Sequence, residues 1–154
     1  MNHAVDRWID GSDVVGVGFG GKGGNVFANT PLTAALPASD LGRAKTWYSE
    51  KLGLEPISED EYGGALYETG GAHFLVFESP FAGTNQATAA GFNIENFDEV
   101  IEKLRANGVT FEDVDFGDMG KTVDGVISSP DGMKGAWFKD SEGNILAVST
   151  LPPA

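Results

Sequence analysis

The feature that most limits the fold of this chain is a helix pattern that occurs twice. Asp40 stands before an amphipathic segment that reaches Gly53, and Asn96 stands before a second one that reaches Gly108. In both copies a short polar side chain can cap the first turn, and apolar residues recur at helical spacing before a glycine that can adopt a left-handed conformation. The copies are about 55 residues apart, which indicates an internal duplication of a strand–helix–strands unit.

Short β-type segments separated by glycine turns surround both helices. They span residues 26–37, 54–58, 65–68 and 73–78 around the first helix, and 89–94, 110–115, 122–128, 134–139 and 145–150 around the second. We therefore expect a domain over residues 26–150, with module one at about 26–80 and module two at about 88–150. Residues 1–25 are polar and glycine-rich, and we expect a flexible N-terminal extension there.

The stretch GVGFGGKGG at residues 16–24 fits two nucleotide-binding patterns, G-x-G-x-x-G and the first seven positions of G-x-x-x-x-G-K-[ST]. The eighth position of the second pattern is Gly23, although magnesium binding there needs Ser or Thr. No helical period follows before Pro31, so no helix N-terminus is expected to receive a phosphate. We interpret the stretch as a connector.

Composition excludes several classes of function. The formal net charge is −13, and no two of the ten basic residues are adjacent, which argues against binding to nucleic acid or anionic membranes. No apolar stretch is long enough to span a membrane, and the first residues lack the pattern of a signal peptide, so we expect a cytoplasmic protein. The absence of cysteine excludes disulfides, thiolate metal sites and cysteine nucleophiles.

Two stretches resemble a known family. LPASDL at residues 36–41, followed by Trp47-Tyr48 and by KLGL at residues 51–54, is similar to the opening of the vicinal oxygen chelate superfamily. That superfamily includes glyoxalase I, bleomycin-resistance proteins and extradiol dioxygenases. AWFKDSEGN at residues 136–144 resembles its closing strand–turn–strand, and the resemblance covers residues 26–150.

The resemblance implies an α+β fold in which two βαβββ modules form a curved, partly open barrel-like sheet. The helices would lie outside, and the concave face would form a pocket. In members that use a metal, His, Glu or Gln side chains from four strands hold the ion. Carried over to this sequence, those positions fall on Thr33, near Val76, on Ala89 and on Ala147.

None of these four residues supplies an imidazole or a carboxylate, which the metal chemistry of the family requires. The only two histidines are His3, in the N-terminal extension, and His73, which we interpret as a surface residue at a strand start. We therefore expect no metal, no other cofactor and no catalytic residue of the family type.

Without a metal site, the functional feature that we expect is a pocket lined by aromatic and apolar side chains. Trp47 and Phe92 are expected to pack in the core, because the helix that carries Trp47 must cover the sheet. The pocket is expected to use the residues Thr33, Tyr62, Tyr67, Phe74, Val76, Ala89, Met133, Trp137 and Ala147.

The leading hypothesis is a metal-free, glyoxalase-like protein that binds a small aromatic or cationic molecule, for sequestration or sensing. One alternative is a lyase, isomerase or dioxygenase of the same superfamily with an atypical site, and another is an accessory domain that binds a protein partner. Because small members of the superfamily commonly pair, we also expect a homodimer.

Overall fold

The computed structural model describes residues 26–150, so the predicted extension over residues 1–25 and the glycine-rich stretch lie outside the described part. The chain divides into two compact units, residues 1–33 and residues 34–154. In the described part of the first unit, residues 26–30 form a turn in which the Thr30 amide donates to the Phe27 carbonyl over 3.1 Å. The elements below belong to the second unit, apart from the first residue of β1.

Module one contains one helix and a four-stranded sheet. Helix α1 spans Leu41–Trp47 and continues into a π-helical turn at Tyr48–Leu52. The strands are β1 (Thr33–Ala38), β2 (Ser58–Glu59), β3 (Gly64–Thr69) and β4 (Ala72–Glu78). Their order in the sheet is β1-β4-β3-β2.

Module two repeats this arrangement around helix α2, Phe97–Ala106. Its strands are β5 (Thr88–Ile94), β6 (Val126–Ser128), β7 (Lys134–Lys139) and β8 (Ile145–Thr150). Their order is β5-β8-β7-β6, and β5 runs parallel to β8 while the other pairs are antiparallel. The element order strand–helix–three strands occurs twice, so the predicted α+β class with two βαβββ modules is confirmed. Within residues 26–150 neither sheet closes.

The predicted capping residues and terminal glycines occur at both helices, but only α1 has the side-chain capping hydrogen bond. The Asp40 carboxylate accepts from the Arg43 amide over 2.9 Å, and Gly53 ends the first helix with a φ of 67°. Gly108 follows the second helix with a φ of 87°. Asn96 occupies the capping position of α2, but its side chain makes no capping hydrogen bond within the described chain.

Several predicted strands are shorter in the structure or absent from it. Residues 110–115 were predicted to form a strand, but they make only isolated bridges, because Gly117 and Gly120 adopt positive φ and turn the chain back. The turn at Asp124-Gly125 likewise confines the predicted strand over 122–128 to β6. The predicted strand over 26–37 begins only at Thr33, and the one over 54–58 only at Ser58.

The hydrophobic core lies between the helices and one face of the sheets. Trp47 stacks on Phe138 with ring centroids 6.2 Å apart. Phe92 also packs against the core, so Trp47 and Phe92 both lie where the sequence predicted them. The largest fully buried side chains are Tyr48, Tyr67, Phe138, Leu36, Leu146 and Val76. Among the helices of residues 26–150, none has the length and hydropathy needed to cross a bilayer.

Tyr67 is unusual in this core because its hydroxyl has no hydrogen-bond partner among the described residues. Burial, together with the charges of Glu55 and Glu59, raises its pKa to about 12. An unpaired buried hydroxyl destabilises the folded state, since it gives up its hydrogen bonds to water.

Tyr67→Phe is therefore expected to raise the free energy of unfolding by about 1 kcal/mol, measured by urea denaturation. Tyr48→Phe is the matched control. The Tyr48 hydroxyl donates to the Asp140 carboxylate over 2.7 Å, so its removal should lower stability by about 1–2 kcal/mol. Equal destabilisation by both substitutions would mean that the Tyr67 hydroxyl is satisfied.

Candidate functional site

Within residues 26–150 one face of the module-two sheet carries neither α1 nor α2, and strand register decides which side chains this face presents. Residues paired across neighbouring strands point to the same face of a sheet. Because Ala136, Phe138, Leu146 and Val148 are buried in the core, the alternate residues lie on the other side. We call this side the open face. Across β7, β8 and β5 it carries three rows of paired residues. The first row is Lys139, Ile145 and Thr88, the second row is Trp137, Ala147 and Gly91, and the third row is Gly135, Ser149 and Asn93.

The Trp137 indole lies on the open face between Thr88 and Gly135. Its Nε1 donates to the Thr88 hydroxyl on β5 over 3.2 Å. Its Cη2 lies 3.3 Å from where a Cβ on Gly135 would stand, so a side chain there would crowd the ring. Since β8 lies between β7 and β5, the ring must cross β8 above Ala147. The result is a partly buried aromatic surface.

Phe116 forms a second wall beside this surface. Its ring centroid lies 4.9 Å from that of Trp137, with the planes at 52°. The loop that carries it is closed by a hydrogen bond from the Phe116 amide to the Gly120 carbonyl over 2.8 Å. The Asp113 carboxylate supports the same loop by accepting from the Thr122 hydroxyl and the Gly125 amide.

Sequence reasoning missed Phe116, because residues 110–115 were predicted as a strand and the loop has no periodic signal. It also missed Thr88 and Asn93, whose places on the open face depend on the β5–β8 register. The only available signal was an aromatic residue directly before a glycine-rich turn.

The predicted pocket residues are not all brought together. Trp137 and Ala147 are direct partners on the open face. The register of β3 and β4 places Tyr67, Phe74 and Val76 together in the core beside Tyr48 rather than on the open face.

The other predicted pocket residues lie at separate places. Tyr62 is 73% exposed in the turn before β3, and Met133 lies in the turn between β6 and β7, hydrogen-bonded to Ser129. Ala89 lies in a bulge of β5 and packs against the core. Thr33 is exposed at the start of β1.

The four positions that correspond to family metal ligands do not fit a metal ion. Ala147 pairs with Trp137 across β7 and β8, Ala89 packs towards the core, and Thr33 offers only a hydroxyl. Val76 is buried, and its neighbours on the opposite face of β4, Leu75 and Phe77, are apolar. Within residues 26–150 no three His, Asp or Glu side chains come together in a group that could hold a metal.

His73 does not supply an alternative centre. It pairs across the β3–β4 hairpin with Glu68, with 3.8 Å between Nε2 and Oε2, and both side chains are substantially exposed. An exposed cross-strand pair of this kind is typical of a solvated surface.

An open groove of about 610 Å³ lies elsewhere, at the end of α2. Its lining includes Arg105, Phe111, Asp113 and Asp124. The Arg105 guanidinium is already engaged, because it donates to the Asp124 carbonyl and lies 5.6 Å from the centre of the Phe111 ring. The groove is wide and polar and has no buried polar group without a partner, so the open face of module two is the better candidate.

The stretch AWFKDSEGN builds a structural clasp between the modules rather than a site. The Glu142 side chain is fully buried and accepts from Arg43 Nε over 2.8 Å, from Arg43 Nη2 over 2.9 Å and from the Asp40 amide over 2.9 Å. These bonds tie the β7–β8 turn to the N-terminus of α1.

Asp140 and Asn144 form the second half of the clasp. Asp140 accepts from the Tyr48 hydroxyl over 2.7 Å, and from the amides of Glu142 and Asn144. The Asn144 side chain donates to the Pro37 carbonyl over 2.9 Å at the end of β1. The turn therefore fixes the ends of β7 and β8, the strands that carry Trp137 and Ala147.

The clasp predicts an acid-sensitive contribution to stability. Burial raises the pKa of the Glu142 carboxyl, but the hydrogen bonds from Arg43, Asp40 and Ser141 and the charge of Arg43 outweigh this effect and lower the pKa to about 2. Because the folded-state pKa lies below the ordinary value of 4.5, the stabilisation is complete above about pH 4.5 and is lost as the pH falls towards 2.

We expect this pH-dependent part to be about 2 kcal/mol, because the half-exposed Arg43 partner is screened by solvent. The measurement is urea denaturation of the wild type and Glu142→Gln between pH 7 and pH 2.5. The stability difference between the two proteins should shrink as the pH falls, and a constant difference contradicts the assignment.

Comparisons with known proteins bear on this arrangement. The family model described as Glyoxalase/Bleomycin resistance protein/Dioxygenase superfamily matches residues 30–148. No protein of curated function matches the sequence at a significant level.

Solved structures match across most of the chain. A glyoxalase/bleomycin resistance protein from Catenulispora acidiphila is 22% identical, with a TM-score of 0.58, over 79% of this chain and 98% of its own. A lactoylglutathione lyase from Agrobacterium tumefaciens is 18% identical, with a TM-score of 0.59, over 79% and 93%. A glyoxalase family protein from Enterococcus faecalis is 22% identical, with a TM-score of 0.58, over 76% and 94%. At these identities the likeness is one of fold.

Proposed function

The chain belongs to the glyoxalase/bleomycin resistance protein/dioxygenase superfamily, and from this premise we propose that it binds a small molecule on the open face of module two without a metal. The output would be sequestration or sensing of that molecule. The observation that carries the proposal is the Trp137 indole, which lies across β8 above the position where the family resemblance implies a metal ligand.

An aromatic surface of this kind supports binding by stacking. A tryptophan offers a large contact area and loses little side-chain entropy, and Thr88 already holds the ring in place. Phe116, at 52° to the indole, adds an edge that a stacked molecule can touch. Two ligand classes agree with this geometry: flat aromatic molecules, and organic cations attracted by the indole face and by the net charge of −13.

The rival function is an enzyme of the same superfamily with an atypical site. Such an enzyme needs an electrophile or a general acid–base group at the reacting atom. The open face offers an amide, hydroxyls and a lysine, and the described residues contain no cluster of metal-ligating side chains. Binding without chemistry is therefore the function that this surface supports best.

The metal-free part of the proposal is tested by elemental analysis. Protein purified without chelator is expected to contain no stoichiometric zinc, nickel, iron or manganese, because the four corresponding positions offer no imidazole or carboxylate. The same preparation should be screened for thermal stabilisation by a small aromatic library. One tightly held ion per chain, whose removal abolishes a measurable activity, would favour the enzyme.

A homodimer is the assembly we propose for this protein. In the described sheets β1, β2, β5 and β6 are edge strands, and a symmetric partner could cover exposed edges. Light scattering on the full chain measures the mass directly, and a strictly monomeric species at high concentration excludes the dimer.

A further inference from the structure

The third row of the open face places a hydrogen-bonding group beside the indole. The Ser149 hydroxyl lies 3.5 Å from Asn93 Oδ1, which makes a long and weak hydrogen bond. The Asn93 carboxamide nitrogen has no protein acceptor among the described residues, and Asn93 is exposed. Gly135 lies in the same row on β7, between Ile127 on β6 and Ser149 on β8, and a Cβ built on it would be 3.3 Å from the indole Cη2.

The charged residue of the open face is Lys139 in the first row, and the Glu112 carboxylate lies close to it. Lys139 Nζ lies 3.9 Å from a carboxylate oxygen of Glu112, and the two side chains are 54% and 43% exposed. The loop around Phe116 adds Asp115 and Lys121, whose backbones pair with each other. The strands themselves contribute no carboxylate to the open face, because its remaining residues are uncharged.

The indole offers only its ring surface to a ligand. Its single N–H donor is used by Thr88, so an incoming molecule cannot bind through it. Stacking against the ring is then the main contact. Specificity must then come from polar groups beside the ring, and the exposed Asn93 carboxamide, two strands from Gly135 in the third row, supplies a donor without a protein acceptor among the described residues.

From this arrangement we infer that the ligand is an uncharged, planar heteroaromatic molecule with a hydrogen-bond donor and acceptor adjacent on one edge, as in a lactam. This inference rests on the proposed function. The lactam carbonyl accepts from Asn93 Nδ2, and the lactam N–H donates to the oxygens of the Asn93–Ser149 pair. The negative charge of the whole chain attracts cations to the surface. A cation bound on the ring would nevertheless lose hydration, and the Glu112 carboxylate near the first row is already paired with Lys139.

The test uses three bicyclic probes of nearly equal size. They are 2-quinolone, which has the donor–acceptor edge, N-methyl-2-quinolone, in which the donor is blocked, and the cation N-methylquinolinium. Dissociation constants are measured by titration calorimetry with the full chain in the presence of EDTA. We expect 2-quinolone to bind about tenfold more tightly than either of the other two probes.

Two variants assign the preference to a residue. Asn93→Ala should weaken 2-quinolone about tenfold and leave N-methyl-2-quinolone within about twofold of its wild-type affinity. Asn85→Ala, in the loop before β5, is the matched control and should change none of the three affinities. An unchanged preference for 2-quinolone in Asn93→Ala overturns the inference.

The outcomes separate this inference from the function on which it rests. If N-methylquinolinium binds as tightly as 2-quinolone or more tightly, and Trp137→Ala abolishes its binding, the inferred ligand class is wrong and the binding function stands. If none of the probes binds up to its solubility limit, the inference is overturned together with the proposal of aromatic binding on this face.

Discussion

Glu142→Ala is expected to lower the free energy of unfolding by about 3 kcal/mol. The Glu142 side chain is fully buried, and it accepts two hydrogen bonds from the Arg43 guanidinium and one from the Asp40 amide. Its removal leaves the Asp40 amide without this partner at the start of α1 and breaks a contact between residues 99 positions apart. The measurement is urea denaturation at pH 7, followed by circular dichroism.

The matched control for this prediction is Glu99→Ala. Glu99 also pairs with a basic residue, Lys103, over 2.7 Å, but both side chains are well exposed on α2. Exposed pairs of this spacing contribute little, so the control should cost less than about 0.5 kcal/mol. Equal losses in the two variants would show that the clasp does not join the modules energetically.

Trp137→Ala is expected to weaken binding of an aromatic ligand by about 2 kcal/mol or more, without a comparable loss of fold stability. The indole is partly buried on the open face and is not part of the core cluster, so its removal deletes the stacking surface and leaves the core intact. Titration calorimetry of wild type and variant with the same ligand measures the difference.

Trp47→Phe is the control for the tryptophan prediction. Trp47 packs under α1 against Tyr48 and Phe138, away from the open face. Its substitution should cost some stability and leave ligand affinity nearly unchanged. If the two variants lose affinity equally, the ligand does not stack on Trp137.

The parts of the fold that depend on local chemistry were predictable from the sequence. Asp40 caps α1 and Gly53 ends its last turn through contacts within a few residues, so the pattern alone locates the helix. The internal duplication predicted that module two repeats the order of helix and strands of module one, because the same cap and terminal glycine recur in the local sequence. The role of Glu142 was not predictable, because its partner Arg43 is distant in sequence.

Which face of the β3–β4 hairpin is buried could not be settled from the sequence, and the cause is physical. Alternation identifies the buried face only when the other face is polar. Here Leu66, Leu75 and Phe77 occupy one side of the hairpin while Tyr67 and Phe74 occupy the other, so both sides are largely apolar. Only the packing of Tyr48 against Tyr67 and Phe74 settles which side faces the helices.

In module two the alternation was informative. Trp137 lies between Ala136 and Phe138, both buried, so the expectation that it avoids the core needed no long-range contact. Phe116 could not be placed beside it, because the loop between α2 and β6 is held by tertiary hydrogen bonds such as those of Asp113.

The claim that module two binds a small molecule without a metal is tested most directly by the fluorescence of Trp137 alone. The chain has three tryptophans, so Trp8→Phe and Trp47→Phe together leave Trp137 as the single emitter. This variant is titrated with 2-quinolone and with the aromatic molecules that stabilise the wild type, in the presence of EDTA. We predict a saturable change in Trp137 emission that matches the affinity from calorimetry. A calorimetric binding event with no change in Trp137 emission, or binding that appears only when a divalent metal is added, contradicts the account.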